Sequence, residues 1–190
     1  SPPGFFDASL TKQVTDNILE PTVEAMAKEG TLYKGVLYAG LMLATDGPKV
    51  LEFNARFGDP ETQVILPRLK SDLVDIILSI IDNKLHETAV EWSNDACVGV
   101  VMASGGYPGN YKTGFAIQGL DKVHPEIMIF HAGTKRDENS QICTDGGRVL
   151  TVTARGKNMA EARMKVYENI QRIYFEDCHY RKDIAFREVN

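Results

Sequence analysis

Apolar residues recur at four-residue spacing near the start of the chain, at Leu10, Val14 and Ile18, the period of a helix with one apolar stripe. Asp7 stands where an N-cap is wanted and Gly30 where helices end, so the pattern predicts a helical segment over 7–30, kinked or divided at Pro21. Two short apolar runs follow, 35–43 and 49–54, separated by Thr45-Asp46-Gly47-Pro48. Runs of that length around an Asp-Gly turn predict a β-hairpin. Over 71–85, Leu73, Ile76, Ile77, Ile80 and Ile81 occupy much of a helical circumference and predict a largely buried helix.

A polar stretch, 82–95, separates this part from a different pattern. Strands are expected over 96–103, 127–131 and 148–154, with a sharp glycine-rich loop over 104–109. Asn158 followed three residues later by Glu161 resembles a capping box, opening a helix whose Ala162, Val166, Ile170 and Ile173 line one side. Strands followed by a packed helix describe a small α+β domain, and the whole chain reads as α+β with a boundary near residue 90.

The second hairpin run leads into the densest chemistry of the chain, Leu51-Glu52-Phe53-Asn54-Ala55-Arg56-Phe57-Gly58-Asp59-Pro60-Glu61-Thr62-Gln63. Strand alternation predicts Glu52, Asn54 and Arg56 on one face and Leu51, Phe53 and Ala55 on the other. Two oxygen donors side by side suit a hard cation such as Mg2+, which takes its remaining ligands from substrate phosphates and water. Arg56 offers a planar fork for a carboxylate or phosphoryl oxygen. Gly58 lets the backbone turn, after which Asp59 reads as an N-cap and Pro60 as the first helical position. For a bare Glu-x-Asn-x-Arg triplet, a polar sheet edge is the better reading; the appended Phe-Gly-Asp-Pro-Glu-Thr weighs against it.

Composition narrows the classes. A chain of 190 residues with 43% hydrophobic content can bury a core as one domain or two small ones. A net charge of -5 argues against a nucleic-acid surface or a polybasic membrane anchor. No apolar run approaches the roughly 20 residues that span a bilayer, and Ser1 opens no signal-peptide pattern, so a cytoplasmic location is expected. Cys97, Cys143 and Cys178 are odd in number and far apart, which suits reduced thiols. His86, His124, His131 and His179 show no metal-ligand spacing.

The motif from Leu51 to Gln63 is joined, in order, by Lys70-Ser71-Asp72-Leu73, Val100 to Gly109, His131-Ala132-Gly133-Thr134, Gly146-Gly147-Arg148-Val149-Leu150 and Tyr180-Arg181-Lys182-Asp183. Together they resemble the phosphoribosylamine–glycine ligase family, the glycinamide ribonucleotide synthetases, across nearly the whole chain. The resemblance implies an ATP-grasp fold and a reaction of de novo purine synthesis. ATP phosphorylates glycine, and the amine of 5-phosphoribosylamine attacks the glycyl phosphate, giving glycinamide ribonucleotide, ADP and phosphate. It implies ATP with Mg2+ or Mn2+ as cofactors. Residues 1–90 would be the metal-binding half of the ATP-grasp module and 91–190 the family's C-terminal α+β domain. Family members also carry an N-terminal domain and the lid half of the ATP site, so the chain is expected to be a fragment whose partner is that missing half.

Residue by residue, the resemblance carries metal and nucleotide binding onto Glu52 and Asn54. Arg56 becomes the candidate catalytic group, holding the glycine carboxylate and the acyl phosphate that replaces it. Asp59 and Glu61 are candidates to accept from a substrate ammonium, with helix capping an equal alternative for Asp59. Arg148 and Lys182, with Arg181 beside them, are candidates for the ribose phosphate, against the plainer readings of a Gly-Gly turn and a solvated surface. Many ATP-grasp relatives place a second acidic ligand on the first hairpin strand, but 36–43 holds no carboxylate. Another ATP-grasp carboxylate–amine ligase, a carboxylase-type enzyme and a noncatalytic nucleotide-binding or interaction domain remain the alternatives.

Overall fold

The computed structural model describes residues 1–189. Its elements run, in chain order, helices α1 (Ala8–Val14) and α2 (Glu20–Lys28), strands β1 (Tyr38–Ala44) and β2 (Gly47–Asn54), helices α3 (Thr62–Ile65) and α4 (Leu73–Ile81), strands β3 (Ala96–Ala103), β4 (Met128–His131), β5 (Thr134–Arg136), β6 (Ile142–Thr144) and β7 (Arg148–Gly156), and helix α5 (Met159–Ile170). They divide into two compact units. A hairpin unit comprises Pro2–Thr62 and Leu69–Trp92; a sheet unit comprises Ser1, Gln63–Arg68 and the chain from Ser93 onward.

In the hairpin unit, Asp7 caps α1 by accepting the Leu10 N–H at 2.7 Å. Between α1 and α2 lies one π-turn, Thr15–Leu19, closed by the Glu20 N–H on the Thr15 carbonyl. The wider turn stands just before Pro21, whose ring cannot supply the N–H that the preceding α-helical turn needs, so the expected break takes this form. The helical segment then ends near Gly30, at φ 76°.

β1 and β2 pair antiparallel, with Ala44 opposite Gly47 across the Thr45-Asp46 loop. The register shifts once: Gly40 pairs with Glu52 but Leu41 pairs with Val50, leaving Leu51 as the extra residue of a β-bulge. The insertion changes the parity of the strand. Val50 and Phe53 line one groove with Ile18, Pro21, Ala25 and Met26, while Leu51 is 64% exposed. The expectation that Leu51 shares an inward face with Phe53 is thus corrected, because the bulge rotates Val50 into that role. Glu52 and Asn54 lie beyond the bulge and keep their common face. β2 ends at Asn54, so Arg56 is not placed by strand alternation.

Two further expectations change here. α3 starts at Thr62, whose N–H donates to the Gly58 carbonyl at 3.1 Å, so Asp59 lies too far upstream to be the N-cap and Pro60 is not helical. The helix predicted over 71–85 is shorter, capped by Asp72 through the Val74 N–H at 2.7 Å. It is also not buried: Val74, Ile77, Leu78 and Ile81 stand exposed. Among the described residues, Val14 is the one apolar side chain of this unit in the fully buried class.

The sheet unit holds the main core. β7 is the central strand of a three-stranded antiparallel sheet, with β3 and β4 at its sides. Val98, Val100 and Met102 stand opposite Ala154, Val152 and Leu150, and this face meets Ala162, Val166 and Ile170 of α5. Asn158 accepts the Glu161 N–H at 2.9 Å, as its spacing predicts, while the Glu161 carboxylate reaches the Lys157 N–H rather than that of Asn158. On the opposite sheet face, Gly99 makes room for Val64: a Cβ there would come within 2.8 Å of Val64 Cγ1. β5 and β6 form a separate two-stranded ribbon that the apolar pattern does not announce. Among the described residues, no helix is long and apolar enough to cross a membrane.

Candidate functional site

The hairpin register sets the site. Paired residues of an antiparallel ladder project from the same face, so Tyr38 opposite Asn54 and Gly40 opposite Glu52 make one polar surface. Asn54 donates its side-chain N–H to Glu52 Oε1 at 2.9 Å. That bond turns the amide nitrogen toward the carboxylate and leaves the amide oxygen as a second acceptor beside it. The pair therefore fits part of a hard-cation site, two oxygen donors with the rest of the shell left to phosphate and water. Among the described residues, no three His, Cys, Asp or Glu side chains are grouped to hold a metal ion.

Glu61 joins the same surface through a residue that the sequence reading misses. The Tyr38 hydroxyl donates to Glu61 Oε1 at 3.1 Å. Its phenol is held above the ordinary value, first by burial, then by the charge and hydrogen bond of Glu61 and by the charge of Glu52, with Arg56 acting in the opposite sense. Glu61 also lies against Gly58, where a Cβ would approach Glu61 Oε2 to 2.5 Å. Gly58 is needed here for close approach as much as for the turn. Arg56 is exposed and donates from Nη1 to the Phe57 carbonyl at 3.0 Å. Asp59 is exposed in the turn before α3.

The remaining candidates belong to the sheet unit. Arg148 opens β7 opposite Ala103, half-buried, and its carbonyl accepts the Gly133 N–H at 2.9 Å. The preceding glycines are tightly packed: Ser104 bonds the Gly146 carbonyl through Oγ and the Gly147 carbonyl through its N–H, each at 2.8 Å. The Tyr107 ring lies so close to Gly147 that no Cβ fits there. Lys182 is exposed, its carbonyl accepting from Arg163 Nη2 at 2.9 Å. Arg181 is engaged in a two-point pair with Asp183, at 2.9 and 2.6 Å. His131 Nδ1 lies 3.0 Å from Thr134 Oγ1. All three cysteines are free, and burial pushes the Cys97 thiol up to about 11, which keeps it protonated and unreactive at neutral pH.

Comparison with known proteins identifies the family. Residues 1–62 match the model of the phosphoribosylglycinamide synthetase ATP-grasp (A) domain, and residues 97–187 match that of the phosphoribosylglycinamide synthetase C domain. The phosphoribosylamine–glycine ligase of Halalkalibacterium halodurans is 49% identical over 187 residues, covering 98% of this chain and 43% of the relative. That of Escherichia coli K12 is 48% identical over 193 residues, covering 100% of this chain and 44% of the relative. A crystal structure of the Thermotoga maritima phosphoribosylamine–glycine ligase superposes with a TM-score of 0.82 at 36% identity, over 94% of this chain and 44% of that one. The Kluyveromyces lactis urea carboxylase shares the fold alone, at a TM-score of 0.56 and 17% identity. The chain thus spans less than half the length of the curated relatives it matches. An ATP-grasp A-domain segment and a C domain, both of the same synthetase and in this order, establish that the chain belongs to the phosphoribosylglycinamide synthetase family.

Proposed function

We propose that this chain is part of an ATP-dependent carbon–nitrogen ligase of the cytoplasm that joins glycine to 5-phosphoribosylamine through a glycyl phosphate. The observation that carries the reading is the hydrogen-bonded Glu52–Asn54 pair on the polar face of the hairpin, within the segment matching the synthetase's ATP-grasp domain. Residues 1–90 serve as the metal-binding half of the ATP-grasp module and 91–190 as the C-terminal α+β domain.

Glu52 and Asn54 hold Mg2+ or Mn2+ against the phosphates of ATP. When bound, the ion neutralises charge that builds on the transferred phosphoryl group. Arg56 holds the glycine carboxylate and then the acyl-phosphate oxygens. Asp59 and Glu61 accept from a substrate ammonium, and Arg148 and Lys182 meet the ribose phosphate. No side chain acts as a nucleophile, because positioning and charge stabilisation suffice for this class of transfer. The other half of the nucleotide site comes from the remainder of the full-length enzyme, which is the partner of this chain.

Steady-state assay of the full-length parent tests the reading. Sustained ADP release should require glycine and phosphoribosylamine together. Glu52→Gln should lower kcat by more than about 100-fold, since losing a metal ligand costs at least as much as losing a residue that supports one. Equal ADP release with another carboxylate–amine pair would favour a different ATP-grasp ligase. These 190 residues alone should not turn over ATP with glycine.

A further inference from the structure

Tyr38 has no role in the reading above, yet it touches one of that reading's acidic candidates. It occupies the start of β1, half-buried, directly opposite Asn54. Its hydroxyl reaches Glu61 across 23 positions of sequence, spanning from the hairpin to the turn after it. The Tyr38 hydroxyl holds Glu61 Oε1, and Oε2 lies over Gly58, 2.5 Å from where a Cβ would stand. A carboxylate at the surface ordinarily samples several rotamers. Here the hydrogen bond selects one. The unused lone pairs of that carboxylate then face a defined direction next to Tyr38, whose ladder partner is Asn54.

We infer that Tyr38 is a positioning residue for the amino-acid substrate, its hydroxyl holding the Glu61 carboxylate as a fixed acceptor for the substrate's ammonium group. This rests on the ligase reading and deepens it. Tyrosine suits the task because its phenol stays a donor at neutral pH, and here burial and the neighbouring carboxylates keep it protonated further into the alkaline range. Phenylalanine keeps the ring and its packing but releases the carboxylate. The cost should therefore fall on binding of the amine, not on the nucleotide or the metal.

The test is a double-mutant cycle in the full-length parent, comparing wild type, Tyr38→Phe, Glu61→Gln and the double variant. Tyr38→Phe should raise the KM for glycine about tenfold, the weight of one hydrogen bond to a charged group, while the KM for ATP and the affinity for Mn2+ change less than about twofold. Added to Glu61→Gln, it should raise the glycine KM little further. A glycine KM unchanged in Tyr38→Phe would overturn the inference, as would an equal rise in the Glu61→Gln background. A second variant, Gly58→Ala, displaces Glu61 from the other side and should give the same glycine-specific rise; a normal glycine KM in that variant would count equally against the inference. Wild-type ADP release indifferent to glycine would instead sink the ligase reading itself.

Discussion

Gly40 stands opposite Glu52 across the β1–β2 ladder, and a Cβ added at Gly40 would meet Glu52 Cγ at 3.1 Å. The missing side chain leaves room for Glu52, which lies against Gly40 while it accepts from Asn54 on its own strand. Gly40→Ala pushes the flexible Glu52 side chain aside by a few tenths of an ångström without disturbing the buried core. Mn2+ titration of the full-length enzyme should show metal affinity weakened several-fold, with the unfolding midpoint little changed.

The phenol of Tyr38 gives a direct electrostatic reporter. Its pKa lies above the ordinary 10.0, with Glu61 the leading charge behind the rise. Glu61→Gln keeps a hydrogen-bond acceptor but removes the charge, so the value should move back toward 10.0 in a carbon-13 tyrosine titration of this chain. The folded state binds this proton more tightly than the unfolded one. Its contribution to stability is therefore complete below the ordinary phenol value and is lost as pH rises through the elevated one, so the alkaline fall in stability across that window should be shallower in Glu61→Gln than in wild type and absent in Tyr38→Phe.

Local signals carry much of this fold, and what they miss has a common cause. Asp46-Gly47, the Asn158 cap and the spacing of Ala162, Val166 and Ile170 each act within a few residues, and each element they predict is present. Tyr38 escapes because its place depends on register across two strands. Counting back from the pair Ala44 and Gly47 without a bulge sets Tyr38 against Phe53; the extra residue at Leu51 moves it to Asn54. The Glu61 contact is longer in range still. Periodicity also tells that α4 has an apolar side, but not whether anything covers it.

Gly99 offers a stability test in the sheet unit. It sits on β3 opposite Thr153, beneath Val64, where a Cβ would meet Val64 Cγ1 at 2.8 Å and Thr153 Oγ1 at 3.1 Å. Both neighbours are held by the strand and by the segment around α3, so neither can yield freely. Gly99→Ala should destabilise the unit by about 1–3 kcal/mol, the usual cost of overpacking. Pairing it with Val64→Ala should recover part of that loss in urea denaturation, because the clash is with that side chain.

α4 makes the opposite prediction from the one its sequence invites. Val74, Ile77, Leu78 and Ile81 follow the spacing of a buried stripe, yet they are 61%, 42%, 52% and 58% exposed. A side chain already in water loses little when replaced by a polar one, since the transfer free energy has not been gained. Leu78→Ser should therefore change the unfolding free energy of this chain by less than about 1 kcal/mol. Ile170→Ala, at a fully buried position of α5, should cost about 2–5 kcal/mol by emptying space between α5 and β7. Urea denaturation of the two variants side by side separates an apolar residue that holds this chain together from one that does not. A loss at Leu78 comparable to that at Ile170 would mean that the α4 stripe is covered in solution.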